Sequence, residues 1–277
     1  MDLNLYEQDK IQINYLFNQI ITLGKYYNTW KSDKTNQIIV IWLPINKSRD
    51  FNYQIVNNEN LKECEKNFNA FVASGVTYGS SSRYTIITRY EEVSKLLLHE
   101  LIHNFNMDGN LCHNTFNNII SKYKKTKGSN YNYEYSMYES YTELLSSYYN
   151  IIFTNMNNEL NKINMIEKIK IQIIIELLYS YNTIANLIII NGYKTYEEFM
   201  EKEFFYGNIC IYEYYYLKGL MYNNFPIIII KPDNNNCNKF NLMVYESIIK
   251  LKRFDKLLQE ICNNYIKQTN YSYIFIK

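Results

Sequence analysis

The chain has 277 residues, 47% of them apolar and 20% charged, so it can bury a core and is too apolar for a disordered linker. Its 29 basic and 27 acidic residues leave a net charge of +2 with no basic stripe, so nucleic acid is not expected as a partner. Eight Gly and three Pro exclude a collagen-like or Pro-rich chain.

Residues 1–30 read as a helix whose broad apolar face is Leu5, Ile11, Ile13, Leu16, Phe17, Ile20 and Ile21. Residues 37–44 form a β-branched run ending at Pro44, a strand. Residues 47–60 are polar and loop-like. Residues 71–77 and 83–90 are extended runs joined by Tyr78-Gly-Ser-Ser-Ser, a hairpin or a loop leading into an edge strand. Residues 91–106 read as a strong helix. Glu91 and Glu92 are placed in its first turn, where the helix dipole favours them, and Asp108-Gly109 offers a stop. Residues 133–153 predict a second strong helix, and 159–191 a long apolar helix or a broken pair. Residues 195–222 and 239–268 look helical, with a short strand at 225–231 and a loop at 234–238. The expected fold is α+β. A small mixed sheet and the 91–106 helix occupy residues 1–112, and a mainly helical part occupies 113–277.

Cys64, Cys112, Cys210, Cys237 and Cys262 are odd in number and widely spaced, without a CxxC pair. They read as reduced thiols in a cytosol-like compartment. The N-terminus shows no secretory pattern, so a cytoplasmic location is expected. Residues 171–190 approach a spanning length but hold Gln172, Glu176, Ser180, Asn182, Thr183 and Asn186. Polar groups at that depth are costly in lipid. A buried helix of a soluble domain is the expectation, and a membrane-associated protein the weaker alternative. Thirty Tyr, with many Asn, Ile and Lys, report an A/T-rich genome, such as that of a large DNA virus, a clostridium-like bacterium or a protozoan parasite.

The 91–106 helix contains His99-Glu100-Leu101-Ile102-His103, an HExxH pattern. Residues i and i+4 share one helix face, so His99 and His103 can present ring nitrogens to one Zn²⁺. Glu100 is rotated away by the 3.6-residue turn and flanks the metal without binding it. There it can take a proton from a metal-activated water and pass it to a leaving amine. The surrounding Leu96, Leu97, Leu101, Ile102, Asn104 and Phe105 are uncharged, as a buried metal helix requires, and two of the three His of the chain fall in this motif.

A catalytic zinc needs a third protein ligand and an open position. The metzincin position is occupied by Gly109, and Asp108 or His113 would need an unusual loop. On the second strong helix, Glu139 and Glu143 form an i, i+4 pair. Like charges so placed repel unless a cation stands beside them. Glu139 is the expected ligand and Glu143 the expected acceptor from the free ring nitrogen of a zinc-bound His. Glu143, His113 and Asp108 remain alternatives for the third ligand. Tyr135, Thr142, Tyr212, Tyr214, Tyr215 and Tyr216 are candidates for stabilising an oxyanion, whereas Tyr141 should face away from Glu139.

HExxH with a Glu on a later helix resembles the gluzincin branch of the zincin metallopeptidases. Glu139, followed four positions later by Glu143, matches the ligand and supporting acid of that pattern. Glu139 stands 36 positions after His103, a gap similar to that of the clostridial neurotoxin light chains. The likeness is local, covering roughly residues 84–150. No GxMxN sequence is present, and no His follows His113 to serve as a transition-state residue. The resemblance implies a zincin-like fold and a zinc-dependent peptidase whose peptide substrate pairs antiparallel with an edge strand, here residues 84–90. The alternative is a zincin-fold structural or host-interaction protein without catalysis.

Overall fold

The computed structural model describes residues 3–28, 39–45, 75–78, 84–89, 93–105, 107–108, 137–158, 162–190 and 218–222, with Glu198, Lys256 and Glu260. In chain order these form α1 (Leu3–Asn28), β1 (Ile39–Ile45), β2 (Gly75–Tyr78), β3 (Tyr84–Arg89), α2 (Val93–Asn104), α3 (Met137–Asn158), α4 (Lys162–Ile190) and α5 (Lys218–Tyr222). The described residues are thus mixed α and β, with far more helix than strand. The loops expected at 47–60 and 234–238 and the strand at 225–231 lie outside the described residues, as do most of the two C-terminal helices. So do Glu91, Glu92, Gly109, His113 and all five cysteines.

The sheet has the order β1-β3-β2. The β2–β3 pair is antiparallel, with Thr77 opposite Thr85, as the hairpin reading expected. β1 runs parallel to β3. The register slips between Trp42 and Ile45, around Pro44. A proline has no N–H for the ladder and belongs at such an irregularity. The strand therefore continues past Pro44, where the sequence placed its end.

The expectation of an edge strand at residues 84–90 is corrected by this order. β3 is the central strand, paired on both sides, and the edges among the described residues are β1 and β2. Strand order depends on pairing with β1, some 40 residues earlier, which local pattern does not encode. Along β3 the side chains alternate. Thr85 and Ile87 are buried while Tyr84 is exposed.

In α2 every residue from 97 to 102 is buried. Leu97, Leu98, Leu101 and Ile102 supply the apolar part. Each such side chain contributes about 1.5–3 kcal/mol on burial. A helix enclosed on all sides must also find partners for its polar groups, here His99 and Glu100.

α1 buries less than its sequence suggests. Leu16, Gln19 and Leu23 form one stripe at helical spacing and are buried, whereas Ile11, Ile13, Phe17 and Ile21 are exposed. The Gln19 amide donates to Ser94 Oγ, which donates to Asn150 Oδ1, both at 2.8 Å, joining α1, α2 and α3. α4 is one continuous helix. It too buries a single stripe, Ile173, Ser180, Tyr181, Ile184 and Ala185, and leaves Ile171, Ile174, Ile175 and Leu178 exposed. The expectation of a buried helix at 171–190 is corrected for the stretch 171–179, where four Ile and Leu side chains are exposed. Among the described residues no helix is long and apolar enough to cross a membrane.

The chain divides into two units. The first comprises Met1–Ser48, Ala73–Asp108 and Leu145–Ile169, and the second Arg49–Val72, Gly109–Leu144 and Lys170–Lys277. A single cut after residue 112 was expected. The division is discontinuous because the later part of α3 is bonded to α1 and α2, through Asn150 and through Thr154, which lies 3.5 Å from Tyr15 Oη.

Candidate metal centre

The two imidazoles of α2 lie on one face, as i, i+4 residues must. Their rings meet edge to face with centroids 4.9 Å apart. The Nε2 atoms of His99 and His103 are 3.2 Å apart. The other nitrogen of His103, Nδ1, donates to Asp108 Oδ2 at 2.5 Å. That bond fixes the tautomer: with the proton on Nδ1, Nε2 is the nitrogen that carries the lone pair, and it faces His99 Nε2.

Asp108 reaches His103 because of how α2 ends. The Phe105 N–H bonds the Leu101 carbonyl at 2.8 Å, and the Met107 N–H reaches back to the Ile102 carbonyl at 3.0 Å. This turns the chain so that Asp108, five residues on, lies against the ring it follows. The sequence reading gave the task of orienting a histidine to Glu143 and considered Asp108 only as a metal ligand. In the structure the carboxylate on His103 is that of Asp108. Asp108→Asn is expected to weaken divalent-metal binding by about 10–100-fold, as for other carboxylates that orient a ligating His. Titration against a competing chelator measures this, and an unchanged affinity would remove Asp108 from the site.

Glu100 faces the sheet. It shares an α2 face with Asn104, and both meet the cross-strand pair Thr77 and Thr85. Thr77 Oγ1 lies 2.5 Å from Glu100 Oε2 and 3.1 Å from the Glu100 carbonyl oxygen. Thr77 Oγ1 also lies 3.3 Å from Thr85 Oγ1, which accepts from Asn104 Nδ2 at 3.1 Å. The Thr77 hydroxyl has one proton, and Glu100 offers only acceptors to it. The Thr85 hydroxyl must therefore donate to Thr77, and the chain runs Asn104 to Thr85 to Thr77 to Glu100. Two strands thus hold a carboxylate that is buried beside the imidazoles. Sequence reasoning missed Thr77 and Thr85. Their only local signal was two β-branched polar residues in strand runs.

Glu139 and Glu143 lie on α3, which continues unbroken across the unit boundary after Leu144. One ligand atom from each of His99, His103 and Glu139 lies within 4.8 Å of the others, a group that can hold a metal ion. Glu143 is 8% exposed, so it does not sit on a solvated acidic face. Its Oε1 accepts from Lys218 Nζ at 3.3 Å. Tyr141 and Thr142 are both buried. Tyr135, Tyr212, Tyr214, Tyr215 and Tyr216 lie outside the described residues.

No protein-family model matches the chain, and no solved structure matches it. The chain is similar to an uncharacterized protein of Acanthamoeba polyphaga mimivirus, 28% identical over 210 residues, or 72% of this chain. It spans about half, 51%, of that relative's length.

The structure therefore brings together three of the residues singled out by sequence, His99, His103 and Glu139, with Glu100 beside them on a separate face of α2. It also couples Asp108 to His103 through the turn that ends α2, and Lys218 to Glu143 through tertiary placement.

Proposed function

We propose that the protein is a zinc-dependent metallopeptidase of zincin type, with His99, His103 and Glu139 as metal ligands and Glu100 as general base. One observation carries this reading. Two nitrogens each about 2.0–2.1 Å from a tetrahedral ion stand about 3.3–3.4 Å apart. The Nε2 atoms of His99 and His103 are 3.2 Å apart, with a Glu139 oxygen within 4.8 Å. Two imidazoles and one carboxylate also form a donor set that leaves a fourth position open, as in catalytic zinc sites.

When bound, the ion supplies Lewis acidity, polarising a peptide carbonyl and bringing the pKa of a water toward about 7. Glu100 would take a proton from such a water and pass it to the leaving amine, a route that needs no covalent intermediate. Thr77, at 2.5 Å, holds Oε2 of Glu100 toward the sheet and restricts how the carboxylate can turn. The peptide is proposed to pair with β2, the edge strand that carries Thr77. The mimivirus relative supports a large DNA virus as the source, and the sparse cysteines support a cytoplasmic setting in the infected host.

The expected outcome is hydrolysis of an unfolded protein substrate that is lost on chelation and restored by zinc. Hydrolysis that survives complete metal removal would contradict the proposal. The absence of any His after His113 favours a second reading, a metal-holding host-interaction module without turnover. Tight zinc binding with no cleavage across a diverse peptide library would select it.

A further inference from the structure

Lys218 is 0% exposed, and it is the most completely buried charge among the described residues. A lysine so placed is expensive unless paired. Its Nζ lies 3.3 Å from Glu143 Oε1 on α3 and 3.5 Å from Glu176 Oε2 on α4. One ammonium on α5 therefore ties three helices together. Glu143 stands one helical turn after Glu139 on the same face of α3. The residue that the ammonium grips is thus the nearest same-face neighbour of the carboxylate within reach of His99 and His103.

We propose that Lys218 is a positioning residue for the metal site. Resting on the zinc reading above, the proposal is that the Lys218–Glu143 pair anchors the turn of α3 that presents Glu139. Three physical points support it. The pair is enclosed, with side chains 0% and 10% exposed, so water does not screen it as at a surface. It engages Glu143, the residue one helical turn from Glu139 on the same face of α3. It also relieves the like-charge repulsion between Glu139 and Glu143, which would otherwise favour displacement of the turn.

Replacing Lys218 alone would strand a buried carboxylate and would change the field at the metal. The informative variant removes the pair as a neutral unit, Lys218→Met with Glu143→Gln. Zinc affinity, measured by competition with a chromophoric chelator at a temperature where the protein is fully folded, is expected to fall about 10–100-fold, the range for groups that orient ligands. A role confined to stability would lower the melting temperature and leave that affinity unmoved. Where the double variant does not fold, Glu176→Gln cuts the other arm of the clamp at a side chain that is 30% exposed. It is expected to weaken zinc by about tenfold, the low end of the same range. Zinc bound by the wild type with unchanged affinity in the folded variants would overturn this inference alone. No zinc bound by the wild type would overturn the metallopeptidase proposal and this inference with it.

Discussion

Glu100→Gln is expected to retain metal and to lower peptide hydrolysis by about 10²–10⁴-fold, the usual contribution of a positioned general base. Gln has the shape of Glu and keeps an oxygen that can accept from Thr77, now at 2.5 Å from Oε2, so the Asn104–Thr85–Thr77 chain survives. The change removes basicity and little else. Among the described residues the group that can hold a metal is His99, His103 and Glu139, without Glu100, so metal content should stay at the wild-type level. Kinetics on a protein substrate, beside metal analysis of the same preparation, check both halves. Full activity in Glu100→Gln would remove Glu100 as the base.

Glu139→Gln is expected to do the reverse and lose the metal. Two neutral imidazoles leave a divalent ion's charge uncompensated, and Glu139 brings the anionic oxygen within 4.8 Å of their nitrogens. A neutral amide oxygen is a weaker donor to a divalent ion than an anionic carboxylate oxygen. The loss of zinc affinity should exceed the roughly 10–100-fold that follows loss of an outer partner. Fold stability should not suffer in parallel. Glu143 is already paired with Lys218, so neutralising Glu139 removes at most a few tenths of a kcal/mol of like-charge repulsion. Metal titration and thermal melting of the apo-protein separate the two effects. A metal-binding defect accompanied by an equal collapse of stability would point to a structural role for Glu139 instead.

How much of this was legible beforehand depends on the range of the interaction concerned. α2 was readable because Leu97, Leu98, Leu101 and Ile102 surround the motif at helical spacing, and the His99–His103 pairing follows from helix geometry alone. The β2–β3 hairpin was readable from two extended runs around a Gly-Ser turn. The place of β3 in the sheet was not, because it is set by parallel pairing with a strand far back in the chain. The same distinction divides the site. Glu139 was found from spacing on its own helix. Glu143 was expected to support a zinc-bound histidine, and the carboxylate found on His103 is that of Asp108, brought there by the turn that ends α2. Lys218 was invisible among the many lysines of an A/T-biased composition, and only its burial between two glutamates singles it out. Exposed Ile13, Phe17 and Ile21 on α1 mark the opposite error, in which apolar residues of a biased chain were read as a buried face.

The central claim is that His99, His103 and Glu139 hold one zinc ion. X-ray absorption at the zinc edge of the purified wild-type protein tests it most directly. The account predicts one zinc per chain with a first shell of nitrogen and oxygen only, two imidazoles at about 2.0–2.1 Å and a carboxylate oxygen at about 2.0–2.2 Å. A shell containing sulfur at about 2.3 Å would move the metal to the cysteines. That result, or a protein that takes up no zinc at all, would contradict the account.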